Sequence, residues 1–123
     1  MPHRLIIAGG RDFTDYDLLC DALEEWFYYQ TMWGKEIIVV SGAAKGADSL
    51  GERWAIENGH QVERYPADWN KDGKAAGPIR NDKMAKVADS LIAFWDGNSR
   101  GTKSMIDLAR KRGLDVKVIN YYT

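Results

Sequence analysis

RLIIAGG, residues 4 to 10, is a short apolar run closed by two glycines. Similar runs recur further along the chain, at Glu36 to Val40, Val62 to Tyr65, Ser90 to Trp95 and Val116 to Ile119. These runs are of strand length and are apolar on both faces, which favours a parallel sheet covered on both sides over a half-exposed antiparallel one. The sequence therefore predicts five parallel strands.

Between these runs the apolar residues repeat at helical spacing. The first helix is predicted by Leu19, Leu23, Trp26 and Phe27, with Thr14 as its N-cap. The second helix is predicted by Ala47, Leu50, Trp54 and Ala55. The third is predicted by Met84, Val87 and Ala88, with Pro78 at the first helical position. The fourth is predicted by Met105, Leu108 and Ala109, followed by basic residues and Gly113 at its C-terminal end. Residues 66 to 77, PADWNKDGKAAG, are predicted to be irregular.

Alternating strands and helices predict a doubly wound α/β fold with helices on both faces of the sheet and strand order 3-2-1-4-5. In that order the chain reverses direction between strands one and four, and ligands bind outside the carboxyl ends of the strands at this point. The glycine-rich loops all fall on that edge: GGRDFT at 9 to 14, SGAAKGAD at 41 to 48 and DGNSRGT at 96 to 102. We therefore expect the binding site there.

Length and charge limit the class of protein. A chain of 123 residues predicts one domain, residues 1–123, with one core and no linker. Lys and Arg total 17 against 18 Asp and Glu, whereas a dedicated nucleic-acid binder usually carries a basic excess. We therefore expect no nucleic-acid partner, although a small basic pocket is compatible with this balance.

The remaining composition argues against metal, disulfide and membrane. Cys20 is the only cysteine, and His3 and His60 stand alone, so we expect neither an internal disulfide nor a metal site. The apolar run at residues 5 to 8 is too short for a signal peptide, and no run approaches the length of a membrane span. These features predict a cytoplasmic protein with no membrane contact.

Two of the loops contain candidate anion-binding groups. Gly9 and Gly10 let backbone approach a ligand, and Arg11 suits a bidentate contact with phosphate; the alternative is a tight turn with Arg11 paired to Asp12. The amides of residues 43 to 47 are placed to ring an anion, with Lys45 adding charge. The alternative is a compact turn with Asp48 bound to backbone amides.

The starts of the last two helices supply further candidates. Arg80 lies in a first turn, where the helix dipole disfavours a cation unless an anion is present; the alternative is pairing with Asp82 or Asp89. Ser99 to Thr102 present amides and hydroxyls that suit phosphate or merely cap the helix. The predicted ligand-binding residues are Gly9, Gly10, Arg11, Ser41, Gly42, Ala43, Lys45, Gly46, Asp48, Arg80, Asn81, Gly97, Ser99, Arg100, Gly101 and Thr102.

Taken in order, four segments resemble a YspA-like member of the SLOG superfamily: GGRDFTDYDLL, IVVSGAAKGADSLGERWA, ERYPADWNKDGKAAGPIRNDKMA and ADSLIAFWDGNSRGTKSMIDLA. This Rossmann-like group also includes the LOG and lysine-decarboxylase-like phosphoribohydrolases and the DprA-type proteins. The resemblance implies a three-layer Rossmann-like fold and a site for nucleotides or nucleotide derivatives, without a settled reaction.

The LOG-type enzymes use an arginine and a glutamate, and only the arginine has a counterpart here. Arg80 matches it, whereas the glutamate position falls on Met105, which can neither take a proton nor stabilise a developing sugar cation. The carboxylates considered as substitutes are Asp12, Asp48, Glu52 and Asp107, of which Asp107 points elsewhere on its helix. The candidate catalytic residues are therefore Asp12, Glu52 and Arg80.

The leading hypothesis is a protein that binds or senses a nucleotide or another phosphorylated small molecule. The alternative is a hydrolase or transferase acting on an N-glycosidic bond, with Asp12 or Glu52 as the carboxylate. Single-stranded DNA binding, by analogy with the DprA-type proteins, would use Trp33, Trp69 and Trp95 for stacking, but the balanced charge argues against it.

The aromatic residues that follow the core positions of the first helix raise the question of a contact between two copies of the chain. Tyr28, Tyr29 and Trp33 add more apolar area than the surface of a monomer normally shows, which favours a homodimer contact. Packing of these side chains against the edge of the sheet is the alternative.

Overall fold

A computed structural model describes residues 1–121 of the chain. The strands are β1 His3–Gly9, β2 Ile37–Ser41, β3 Gln61–Arg64, β4 Ser90–Trp95 and β5 Asp115–Asn120. The helices are α1 Tyr16–Gln30, α2 Ala47–Glu57, α3 Trp69–Asp72, α4 Ala76–Val87 and α5 Arg100–Lys111, with a 3-10 turn at Gly73–Ala75.

The strands form one parallel sheet in the order β3-β2-β1-β4-β5. This confirms the predicted fold class and strand order. The residues of α1 and α2 pack on one face of the sheet and those of α4 and α5 on the other, which gives the three layers of a Rossmann-like fold.

The sheet divides the apolar residues into two clusters. Along β1, Leu5 and Ile7 face α1 and α2, whereas Ile6 and Ala8 face α4 and α5, because successive side chains of a strand point to opposite faces. The chain was expected to bury one core; it has one on each side of the sheet because the central strands are covered twice.

The central and edge strands differ in burial. Every residue of β2 is buried, and β1 and β4 are buried over most of their length. In contrast, β3 and β5 have no buried residues, since each borders only one neighbouring strand. The expectation of strands apolar on both faces therefore applies to β1, β2 and β4 alone.

Local structure departs from the sequence prediction at two helix starts. Asp15, not Thr14, caps α1, because its carboxylate accepts the amide of Leu18 at 3.0 Å. Helix α4 begins at Ala76, so Pro78 is its third residue; its missing N–H still costs nothing, since the first-turn amides have no partner within the helix. The segment predicted to be irregular instead holds α3 and the 3-10 turn, which lead directly into α4.

The helix surfaces carry exposed aromatic rings near the end of α1. Trp26 and Phe27 are buried, while Tyr28, Tyr29 and Trp33 are 69%, 72% and 65% exposed. These three side chains are therefore exposed, and the homodimer remains a prediction. Among the helices of residues 1–121, none combines the length and the apolar character needed to cross a membrane.

The seam between α2 and β1 generates a prediction about stability. A Cβ at Gly51 would lie 2.7 Å from Cγ2 and 2.8 Å from Cβ of Ile7, a fully buried strand residue that has no room to move. We expect Gly51→Ala to lower the free energy of unfolding by about 1 to 3 kcal/mol through overpacking, measured by urea denaturation. Gly101→Ala is the matched helical control, because nothing lies within 4 Å of its added Cβ. Equal stability of the two variants would contradict this account.

Candidate functional site

A cleft of about 610 Å³ opens at the carboxyl ends of β1 and β4. It is bounded by the loop after β1, the loop before α5, the start of α2 and the first turns of α4. The predicted residues that line it are Gly9, Gly10, Arg11, Asp12, Asp48, Arg80, Asn81, Ser99, Arg100, Gly101 and Thr102. The fold thus brings residues from four separate segments to one surface.

The floor of the cleft is formed where backbones meet without intervening side chains. A Cβ at Gly9 would lie 2.3 Å from the carbonyl oxygen of Phe94, and one at Gly46 would lie 2.2 Å from that of Gly10. Gly46 also has φ +75°, a left-handed conformation that favours glycine. The amide of Ala47 donates to the Gly10 carbonyl at 3.1 Å, so the loop after β1 is bonded directly to the start of α2.

The loop between β2 and α2 forms a compact turn held by its own side chains. Ser41 Oγ accepts the amide of Ala43 at 3.1 Å and donates to Glu52 Oε2 at 2.5 Å. Asp48 Oδ2 accepts the amide of Ala44 at 3.2 Å. The amides expected to ring an anion are therefore bonded inside the protein at residues 43, 44 and 47, which favours the compact-turn alternative.

Arg80 is the fifth residue of α4, so it lies just beyond the first turn in which the sequence predicts it, because the helix begins earlier, at Ala76. From there it connects α4 with the loop after β2 and, through Asn81, with the start of α5. Its Nη1 donates to the Gly42 carbonyl at 2.5 Å and its Nε to Asn81 Oδ1 at 2.9 Å. Asn81 in turn donates to the Gly101 carbonyl at 3.4 Å. The alternative pairing of Arg80 with Asp82 or Asp89 is not present: Asp82 pairs with Lys86 and Arg112, and Asp89 accepts the amide of Arg4.

Asp48 is a carboxylate buried in the wall of the cleft, only 5% exposed. Burial raises its pKa to about 6, since the charged form loses hydration; the Ala44 amide and the Arg80 guanidinium oppose this rise without cancelling it. Burial likewise lowers the pKa of Arg80, and the Asp48 charge partly offsets that effect. The two groups therefore share a poorly hydrated environment.

At the start of α5 some amides are bonded and others are not. Asp96 Oδ1 accepts the amides of Asn98 and Ser99 at 2.8 Å, which lowers the pKa of that carboxyl, and Ser99 caps the helix through the Thr102 amide at 3.4 Å. Among residues 1–121 no acceptor is found for the amides of Arg100 and Gly101. The first turn of α5 thus has free donors beside the cleft.

Asp12 lies in the cleft and is bonded by a residue from the far end of the chain. The Tyr121 hydroxyl donates to Asp12 Oδ1 at 2.6 Å, and burial together with this carboxylate raises the pKa of Tyr121. Phe13 packs between Phe94 and Tyr121, with ring centroids 4.8 Å from each. The aromatic packing therefore holds the loop after β1 in place.

A second cavity of about 520 Å³, here called the side cavity, adjoins the cleft. The two share four lining residues: Arg11, Ala44, Trp69 and Arg80. Three predicted ligand residues line only the side cavity: Gly42, Ala43 and Lys45. The predicted ligand residues thus divide between two adjoining spaces.

The remaining predicted residues lie outside both cavities. Ser41 is fully buried against Glu52, Gly46 lies beneath the Gly10 backbone, and Gly97 lines neither space. Glu52 is turned towards Ser41 and Arg64, and Asp107 pairs with Lys103. Of the carboxylates considered for catalysis, only Asp12 and Asp48 line the cleft, whereas Glu52 does not.

Sequence reasoning did not assign several lining residues to this ligand site. These are Ala8, Trp69, Gly77, Pro78, Met84, Asp96, Ser104 and Met105. Trp69 had been considered only for DNA stacking; it reaches the cleft because α3 forms in the segment expected to be irregular. A signal for α3 was present in Asp68, whose carboxylate accepts the Lys71 amide at 3.1 Å as an N-cap.

Comparisons with known proteins give both a family and a fold. The profile of the YspA, cpYpsA-related SLOG family matches residues 3–71. Gene 61 protein of Mycobacterium phage D29 is 37% identical over 124 residues, covering 96% of this chain and 95% of that protein. DNA processing protein A (DprA) from Streptococcus pneumoniae superposes with a TM-score of 0.72 at 18% identity, over 98% of this chain and 51% of that one. This chain therefore has the fold of about half of that structure.

The buried carboxyl of Asp48 predicts an unusual pH dependence. Because its pKa is higher in the folded protein than in the unfolded chain, its contribution to stability falls as the pH rises from about 4 to about 6. We expect Asp48→Asn to unfold like the wild type near pH 4 and to be more stable by about 3 kcal/mol at pH 7, since two pKa units correspond to that energy. Urea denaturation at each pH measures both.

Asp82→Asn is the control of opposite sign. Arg112 and Lys86 lower the pKa of Asp82, so its contribution is present above the ordinary pKa and disappears as the pH falls. That variant should lose stability at pH 7 and match the wild type in acid. If Asp48→Asn behaved in the same direction as Asp82→Asn, the burial penalty assigned to Asp48 would be refuted.

Proposed function

We propose that this chain, which belongs to the YspA, cpYpsA-related SLOG family, binds or senses a nucleotide or a nucleotide-derived phosphorylated small molecule in the cleft. The observation that carries this proposal is that the arginines of the cleft are not paired with its carboxylates. Among residues 1–121, no ion pair within 4.0 Å involves Arg11, Arg80 or Arg100.

The cleft carboxylates are bonded by neutral donors instead. Asp12 accepts the Tyr121 hydroxyl, Asp48 the Ala44 amide, and Asp96 the amides of the turn before α5. The guanidinium charges of these arginines therefore have no carboxylate within 4.0 Å among the described residues. Arg80 uses Nη1 and Nε to bond Gly42 and Asn81, so its charge is held in place but not neutralised, where partial burial makes it costly. A phosphate would supply the missing counter-charge and accept several of these donors at once.

The first turn of α5 supports the same assignment. The amides of Arg100 and Gly101 are unbonded among the described residues and lie at the positive end of the helix dipole. Asn81 bonds to the Gly101 carbonyl and to Arg80, so it fixes this turn relative to the guanidinium. Backbone donors, Arg80 and Arg100 would then surround one anionic group.

Ligand-dependent thermal stability tests the proposal. We expect at least one of AMP, ADP, ATP, GTP, NAD, ADP-ribose and ribose 5-phosphate to raise the unfolding midpoint of the wild type by several degrees. A ligand at about a hundred times its dissociation constant adds about 2.7 kcal/mol to the folded state. Arg80→Ala should remove this shift, because it deletes the half-buried cation of the site.

Two further variants make the result specific. Arg11→Ala should also weaken the shift, and it leaves intact the Gly42 contact that Arg80 makes. Arg53→Ala is the matched control, since Arg53 pairs with Glu57 on the surface of α2 away from both cavities. A thermal shift that persists in both Arg80→Ala and Arg11→Ala would exclude the proposed site. The absence of a shift with every compound would exclude it as well.

A second candidate function is hydrolysis of an N-glycosidic bond, and Asp48 favours it. This carboxyl lines the cleft with a pKa of about 6, close to the value that suits a general acid or base near neutral pH. Asp48 would then take the role of the glutamate of the LOG-type enzymes, whose position in this chain is occupied by Met105. Asp12 and Asp96 also line the cleft, and Glu52 has no part in this version because it lies outside the cleft.

Base release from nucleotides distinguishes this enzyme from a binding protein. If the second candidate is right, the wild type should liberate the free base, and Asp48→Asn should reduce the rate by about 100-fold or more, as for loss of a general acid or base. Because Asp48→Asn is expected to be more stable at pH 7, unfolding would not explain such a loss. Chromatography showing no base release from any nucleotide of the panel would eliminate this candidate.

A further inference from the structure

Trp69 is the aromatic side chain in the lining of the cleft. Of the described residues that form that lining, no other carries an aromatic ring. Trp69 also lines the side cavity and is 51% exposed, so its ring stands at the divide between the two spaces. A large ring left half exposed keeps apolar surface in water, and a ligand that covered it would gain free energy.

The other tryptophans have contacts inside the protein that Trp69 lacks. Trp26, Trp33 and Trp54 each lie within 5.7 Å of another aromatic ring, centroid to centroid. Trp95 donates its indole N–H to the Ser99 carbonyl at 3.0 Å. Within residues 1–121, Trp69 has neither a ring partner nor a hydrogen bond from its indole nitrogen.

The backbone around Trp69 nevertheless gives the ring a definite position. Helix α3 is capped by Asp68, ends before Gly73, which has a left-handed φ of 56°, and is followed directly by the 3-10 turn and α4, so short hydrogen-bonded elements flank the residue. The ring edge lies beside Gly77 at the start of α4, where an added Cβ would stand 3.5 Å from Cη2 of Trp69. The ring is thus held at the cleft without being buried by it.

The charged neighbour of the ring is Arg11. Its guanidinium carbon lies 6.0 Å from the ring centroid, at the outer limit of a cation–π contact, so one face of the indole is only loosely covered. Arg11 also belongs to the unpaired arginines of the cleft. An anion and an aromatic ring on one ligand would therefore find Arg11 and Trp69 side by side.

From this arrangement we propose that Trp69 stacks on the base of the bound nucleotide and makes the site select nucleotides over base-free sugar phosphates. The inference rests on the proposed function and adds the part of the ligand that phosphate binding leaves undefined. Stacking on a flat ring tolerates any base, since every base has a π face. Selectivity is therefore for the presence of a base and not for its identity.

Isothermal titration of AMP, GMP and ribose 5-phosphate tests this selectivity. The wild type should bind AMP or GMP more tightly than ribose 5-phosphate. Trp69→Ala should weaken nucleotide binding by about 5- to 150-fold, the range for loss of one base-stacking contact, and leave ribose 5-phosphate affinity within about 2-fold of the wild type. Trp69→Phe, which keeps a ring, should restore most of the nucleotide affinity.

Trp33→Ala is the matched control, because that exposed tryptophan lies outside both cavities. Equal weakening of nucleotide and ribose 5-phosphate by Trp69→Ala would mean that the ring only shapes the cleft, and unchanged nucleotide affinity would mean that it does not touch the ligand. Either result overturns the inference without contradicting the proposed function, because the wild type still binds the ligands. Absence of binding by all three compounds to the wild type would also overturn this inference, whereas the proposed function fails only if no compound of the thermal-shift panel binds.

Discussion

The close approach of backbones at the carboxyl end of the sheet is the constraint on which the site depends. The end of β1 touches the Phe94 carbonyl on one side, and the loop that follows touches Gly46 and bonds to the first amide of α2 on the other. Side chains at Gly9 and Gly46 would separate these segments. Because these two glycines have no side chains, the loops and helix ends at this edge of the sheet lie close enough together to enclose the cleft.

Within this cleft the protein separates opposite charges that would otherwise neutralise one another. The Tyr121 hydroxyl donates to Asp12, and backbone amides donate to Asp48 and Asp96. The arginines that line the cavities have no carboxylate partners among the described residues. Keeping Asp48 and Arg80 poorly hydrated costs stability, as the displaced pKa values of both groups indicate. Such a cost in a cleft is typical of a functional site.

Neither the family nor the fold defines the reaction or the ligand, which depend on the side chains of the cleft. A fold shared with a DNA processing protein at 18% identity hosts many functions, so the cleft contents carry the functional argument. Here a buried methionine, 2% exposed, takes the position at which the resemblance to LOG-type enzymes would place a glutamate. Asp48, the cleft carboxyl whose pKa burial raises to about 6, comes from a different helix.

The sheet order and the site's location follow from local patterns: apolar runs of strand length, helical repeats between them, and glycines after β1, β2 and β4. These patterns depend only on residues that are close in sequence, so they can be recognised without knowing the tertiary contacts. The role of each polar group does not, because Glu52 turns towards Ser41, the amides of Ala43 and Ala44 are bonded by side chains of their own turn, and Asp12 is bonded to Tyr121 more than a hundred residues away. Hydrogen-bond partners and hydration are set by contacts between distant segments, so only the tertiary structure decides which donors and charges remain available to a ligand.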